Sequence, residues 1–330
     1  MTSPAARTAR GNLPRTLLTA LAPLTWGTVY IVTTELLPPG HPLFAGLLRA
    51  LPAGLIALAL TRTAPRGAWW GRVVVLGTLN IGLLFPLLFV AAERLPGGVA
   101  ATLTAAMPLM VAVLAVTLLH ESPSVRRLTW GVIGVGGIGL VVIGPDAAFD
   151  TVGIAAGLAA AATLALGVTL TKRWGRPAGM GPTAFAGWQL TVGGLFLVPV
   201  TFLAEGAPPT IGPTAVLGYL WLSLVCGLAT FVLWFQGIGS LPVTSAAVLG
   251  LLSPLVAALL GAVLLGQTLG AVQLVGFGLA LAAIVAGQLP ARGGHSFRGR
   301  SFRGQSCGGR EPSWWSATFR ASSTSRRKCP

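Results

Sequence analysis

The stretch Leu95-Pro96-Gly97-Gly98-Val99-Ala100-Ala101-Thr102-Leu103-Thr104-Ala105-Ala106-Met107-Pro108-Leu109 returns later in the chain. It reappears as Leu241-Pro242-Val243-Thr244-Ser245-Ala246-Ala247-Val248-Leu249-Gly250-Leu251-Leu252-Ser253-Pro254-Leu255. The same ungapped offset of 146 residues puts Phe85 on Phe231, Phe89 on Phe235 and Leu118-Leu119 on Leu264-Leu265. Apolar composition produces chance matches, so the Leu-Pro and Pro-Leu pairs kept at both ends of the stretch carry the argument. Register-locked self-similarity of this kind marks an internal repeat.

Composition sets the environment of that repeat. The chain is 54% hydrophobic and 9% charged, with a mean hydropathy of +0.80. Soluble domains carry about 25% charged residues, whereas each charge at a bilayer centre is costly. A membrane helix needs about 20 mostly apolar residues. Ten stretches qualify, at 16–35, 42–60, 73–92, 97–119, 127–144, 152–171, 184–203, 214–237, 242–265 and 268–289. The expectation is an all-α polytopic membrane protein with ten transmembrane helices. Residues 1–15 precede the first repeat at 16–144, and the second repeat covers 152–289. No cleavable signal peptide is evident.

Basic residues orient the spans. Arg7, Arg10, Arg15, Arg62, Arg66, Arg72, Arg126, Arg127, Lys172, Arg173 and Arg176 fall on one side, and only Arg94 falls on the other. Glu35, Glu93, Asp146, Asp150 and Glu205 gather mostly on the Arg94 side. Both termini are therefore expected in the cytoplasm, in the cell's inner or plasma membrane. Five spans is an odd number, so the second repeat enters from the opposite side. Inverted repeats place a ligand site near the midplane, between halves that can rock, and this is the usual build of a secondary transporter.

The net charge of +15 is partly a property of residues 290–330, where nine Lys or Arg stand against Glu311. That segment is Ser-, Gly- and Arg-rich and holds too little apolar surface to fold alone. It reads as a disordered basic cytoplasmic tail near anionic lipid rather than a nucleic-acid binder. Cys226, Cys307 and Cys329 are too few and too scattered for a disulfide or metal framework, and the three His are dispersed. Gly134-x-Gly136-x-x-Gly139 matches a dinucleotide fingerprint but lies inside an apolar span, without the strand that motif needs. Close helix packing accounts for it better. No nucleotide loop or catalytic triad appears, so neither an enzyme nor a cofactor is expected.

Two five-span repeats, Trp26-Gly27 in span 1, Arg49 in span 2, and Pro in the middle of spans 4 and 9 resemble the drug/metabolite transporter superfamily, in its EamA branch. Thr33-Thr34-Glu35-Leu36-Leu37-Pro38-Pro39-Gly40, Leu48-Arg49-Ala50-Leu51-Pro52-Ala53-Gly54, Leu95-Pro96-Gly97-Gly98-Val99-Ala100-Ala101 and Leu170-Thr171-Lys172-Arg173-Trp174-Gly175 are similar to the subgroup that includes a blue-pigment (indigoidine) exporter. The resemblance implies a ten-helix bundle and efflux of small metabolites, without naming a substrate.

Arg49 is the sharpest candidate. It lies about seven residues inside span 2, roughly 10 Å deep at 1.5 Å per residue. A charge at that depth faces protein or a water-filled cavity. It is a candidate for holding a substrate carboxylate, or equally for capping helix carbonyls or pairing with Glu35 or Glu93. Pro108 and Pro254 are matched interruptions in the two halves, and bent spans 4 and 9 are expected from them. Trp26, Tyr30, Trp188 and Trp234 are candidates for stacking on a planar ligand or for interhelical packing. Asn80, Gln189, Gln236 and Ser253 are polar positions in apolar spans, suited to reading ligand amides or to tying helices together. The expected substrate-binding set is Trp26, Tyr30, Arg49, Asn80, Pro108, Trp188, Gln189, Gln236, Ser253 and Pro254. The expected partners are a small-molecule substrate and the lipid bilayer, with a homodimer admitted. Two other readings stay open: a membrane sensor that moves no solute, and a flippase for lipid headgroups.

Overall fold

The computed structural model describes residues 4–94, 103–121, 125–142, 150–264 and 270–288, and every regular element among them is a helix. Seven of these helices are long and apolar enough to cross a membrane: Leu13–Leu36, Pro42–Thr61, Trp69–Leu88, Thr151–Trp174, Pro182–Ala204, Pro213–Ser240 and Val243–Leu264. Three shorter apolar helices, Met107–Leu119, Leu128–Leu140 and Ala271–Ala286, lie where the remaining apolar stretches were read. The start of the fourth stretch, the tail at 290–330 and the Tyr30 side chain are outside the described residues.

Local sequence explains where helices start and break. Pro42, Pro182 and Pro213 each open a helix, at a position where the missing N–H has no partner to lose and the ring presets φ. Pro108 does the same for Met107–Leu119, and Pro254 sits in the first turn of Leu252–Leu264. The two prolines thus restart helices after breaks at Ala106 and Gly250-Leu251, rather than kinking continuous ones. The first span also differs from the reading. Its helix α1 runs Pro4–Trp26, and Gly27-Thr28 interrupts it before α2, Val29–Leu36.

Two spans contain π turns, Thr78–Gly82 and Trp221–Ala229. Moving the first by 146 residues places it at 224–228, inside the second. The repeat spacing is therefore carried by backbone geometry as well as by residue identity.

The packing is reciprocal. Helix α3, Pro42–Thr61, and helix α9, Pro182–Ala204, pack along each other, as do Val125–Val142 and Ala271–Gln288. Helix α3 also packs on the second π turn, and α9 packs on the first. Leu84–Arg94 lies on helix α8, Thr151–Trp174, while Thr230–Ser240 lies on α1. Lipid tails are as apolar as Leu, so close packing rather than hydrophobic burial holds such contacts. A Cβ on Gly194 would lie 2.8 Å from the Leu51 backbone nitrogen, so only glycine permits that approach. Gly137 meets the Gly276 carbonyl and Ala280 in the same way, while Gly136 faces open space. Of the fingerprint-like glycines, Gly134 makes a helix contact, against Leu251 and Ala283, and Gly136 makes none. Leu190, Leu197, Leu222 and Ile238 fill the centre, whereas Leu60, Leu203 and Val263 are exposed. Large apolar side chains on the outside suit a lipid-facing surface.

Charged residues finish the helix ends. The Glu205 carboxylate accepts from the Leu43 and Phe44 amides at 2.5 and 2.9 Å, which places negative charge on the N-terminus of α3. Lys172 donates to the Leu241 carbonyl at 2.8 Å and Arg126 to the Ala286 carbonyl at 2.7 Å, so positive charge meets two C-terminal ends.

Candidate functional site

Two polar groups form where the π turns meet the opposite half. The first centres on the main-chain carbonyl of Cys226, inside the second π turn. Arg49 Nη2 donates to it at 3.2 Å, the Trp26 indole N–H at 3.0 Å and the Thr230 hydroxyl at 2.5 Å. The i→i+5 pattern of a π turn loosens the regular ladder, and this carbonyl draws donors from two other helices. The Arg49 guanidinium lies over the Phe85 ring, 5.2 Å from its centroid. Its Nε is buried with no hydrogen-bond partner. Trp26 packs on Phe231 and Trp234, each with ring centroids 5.3 Å away. Arg49 therefore holds a helix carbonyl, one of the roles open to it from sequence, and keeps donor capacity besides.

The second group centres on Asn80, in the first π turn. Its amide nitrogen donates to Gln189 Oε1 at 2.8 Å and reaches Thr171 Oγ1 at 3.4 Å. Asn80, Gln189 and Thr171 are 1%, 0% and 4% exposed, so they are out of contact with bulk solvent. Asn80 Oδ1 and Gln189 Nε2 have no hydrogen-bond partner. Gly167 makes room for the amide, since a Cβ there would run into Asn80 Oδ1.

The groups are built alike. Arg49 stands seven residues after Pro42, and Gln189 seven after Pro182. A Cβ on Gly227 would lie 2.7 Å from the Arg49 carbonyl, and one on Gly77 would lie 2.9 Å from the Gln189 carbonyl.

The other expected site residues are placed as follows. Trp188 is buried, and its indole N–H donates to the Thr63 carbonyl at 2.8 Å, so it ties α9 to the loop after α3. Gln236 is exposed and joins neither group. Ser253 and Pro254 lie in the first turn of their helix, where the Ser253 carbonyl closes on Gly27. Pro108 is buried at its helix start. Glu35 is exposed and is not the partner of Arg49. Sequence reasoning passed over Cys226, Thr230, Thr171 and Phe85. Only Phe85 carried a usable signal, its match to Phe231 at the repeat offset.

The EamA-like transporter family model matches residues 14–143 and again 151–286, which is most of the chain in two successive copies. The chain belongs to the EamA-like transporter family. Its relatives in this family include Protein PecM of Dickeya dadantii, 44% identical over 264 residues, covering 80% of this chain and 89% of that protein. A chloroplastic WAT1-related protein of Arabidopsis thaliana is 26% identical over 282 residues, covering 80% of this chain and 67% of its own. A solved crystal structure at 18% identity superposes with a TM-score of 0.70 over 84% of this chain and 98% of the other, a likeness of fold alone. The EamA assignment makes this a multi-pass membrane transporter. Both polar groups straddle the boundary between the two EamA copies: Arg49, Trp26 and Asn80 belong to the first, and Cys226, Thr230, Gln189 and Thr171 to the second.

Proposed function

We propose that this chain is a secondary transporter that exports small metabolites, amino-acid-like, aromatic or heterocyclic, by alternating access. Ten helices form two inverted five-helix repeats, with both termini in the cytoplasm. The observation that carries the reading is the reciprocal pair of contacts at the π turns, Arg49 to the Cys226 carbonyl and Gln189 to Asn80. Each joins one half to the other, so a rocking motion of the halves makes and breaks them at opposite depths. π turns recur at functional sites, and a buried charge within a span is a site by default. Arg49 then serves a substrate carboxylate with the donors that the Cys226 carbonyl leaves over, beside the Phe85 and Trp26 rings.

The test is an untargeted comparison of external metabolites from cells that express the intact protein, the Arg49→Ala variant or an empty vector. A compound enriched outside only with the intact protein is the expected result. No enrichment, with the protein present in the membrane, would overturn export.

A further inference from the structure

We propose that Asn80, Gln189 and Thr171 form a binding subsite for a carboxamide or lactam group, separate from the carboxylate site at Arg49. The amide pair in this cluster is incomplete. Two side-chain amides that serve only to join helices can satisfy each other with two reciprocal hydrogen bonds. Here one bond is made, Asn80 Nδ2 to Gln189 Oε1, while Asn80 Oδ1 and Gln189 Nε2 stay unpartnered. Turning both amides over exchanges donor with acceptor and still leaves one of each. Thr171 adds no competing donor, because its hydroxyl donates to the Gly167 carbonyl at 2.7 Å.

An unmade donor and an unmade acceptor, both buried on two amides already joined by one hydrogen bond, are costly when left so. A single group that completes both must offer an acceptor and a donor while carrying no charge. Carboxamides and lactams have this form. A carboxylate has no donor, and no cation of this protein contacts the cluster among the described hydrogen bonds and ion pairs. The residues come from both EamA copies, Asn80 from the first and Thr171 and Gln189 from the second, so motion between the halves opens and closes the subsite. In that respect the inference rests on the alternating-access reading, while binding itself can be measured without transport. Asn80 and Phe85 are five residues apart across the π turn, and Phe85 carries the Arg49 guanidinium. The amide subsite and the carboxylate site thus lie along one span, on either side of the end of its π turn.

Full-length protein in lipid nanodiscs is titrated with nicotinamide and with 3-acetylpyridine, which keeps the ring and the acceptor but lacks the amide donor. Intact protein should bind nicotinamide saturably and 3-acetylpyridine about tenfold or more weakly, as expected of a site built to hydrogen-bond the missing group. Asn80→Leu and Gln189→Met should each erase that preference, and Thr171→Val should reduce it less. If Asn80→Leu does not fold, Gln189→Met and Thr171→Val ask the same question. Absent saturable binding, equal affinity for the two probes, or an unchanged preference in a folded variant would each overturn the subsite. Metabolite export by the intact protein together with any of these results would overturn the subsite and leave the transporter standing.

Discussion

Arg49 and Gln189 occupy equivalent places: each is seven residues beyond the proline that opens its helix, and each reaches into the π turn of the opposite half. One brings a fixed charge and the other a neutral amide. The pair is symmetric in position and asymmetric in chemistry.

Arg49→Ala should cut export sharply and leave the fold in place. The Cys226 carbonyl keeps Trp26 and Thr230 as donors after the change, so no acceptor is stranded. A charge-assisted hydrogen bond to substrate is worth about 1.5–3 kcal/mol, or a loss of roughly 10- to 100-fold in transport. Export rate divided by the amount of protein in the membrane is the measurement. A fall in both together would make Arg49 a structural residue only.

Gly194→Val should cost more than any surface change. Its Cβ would lie 2.7 Å from the Leu51 Cβ and 2.8 Å from the Leu51 backbone nitrogen, and backbone cannot swing aside. Overpacking of this kind costs about 1–3 kcal/mol. Gly136→Ala, with nothing within 4 Å, should stay within about 0.5 kcal/mol of the intact protein. Thermal unfolding in detergent compares the two, and equal behaviour would refute the close approach.

Glu205→Ala should loosen the start of helix α3. It removes two amide partners and a negative charge from a helix N-terminus, worth about 1–2 kcal/mol together. Glu205→Gln keeps one acceptor oxygen and should lose less. Hydrogen exchange at the Leu43 and Phe44 amides reports it directly, and unchanged protection in Glu205→Ala would contradict the cap.

Asp150 gives a pH dependence. The Gly153 amide, donating at 2.7 Å, holds its carboxyl below the usual range, and Arg94 at 3.4 Å adds to this. A lowered carboxyl stabilises the fold fully above its ordinary value, near 3.9, and loses that contribution as pH falls through the lowered value. Asp150→Asn should therefore narrow the gap in melting temperature between about pH 6 and about pH 3. An unchanged gap would show that Asp150 contributes nothing to acid sensitivity.

The repeat was readable because a Leu-Pro and a Pro-Leu pair recur at one shared offset at the two ends of the same stretch. Arg49 was readable because depth can be counted along a span. Its partner was not, since every residue owns a carbonyl and Cys226 offers no special letter. The π turns were hidden for a related reason: a change from i→i+4 to i→i+5 bonding is decided by packing and leaves no compositional mark. Asn80 and Gln189 both stood out as polar, yet 109 residues separate them, and only the fold brings them together. Thr171 was passed over because a Thr in a helix usually bonds back along its own turn, as this one also does. Gln236 shows the converse, a polar residue in an apolar stretch that simply faces outward.

Lys172 and Arg126 hold carbonyls at the ends of other helices, and Glu205 holds amides at the start of one. These same residues belong to the charge bias from which the orientation of the chain was read. On the proposed orientation, the side chains that direct insertion also fasten helix ends. Reversing the chain in the membrane by moving its charges would unpin three helix ends at once, so a drift toward dual topology is opposed by folding as well as by the insertion machinery.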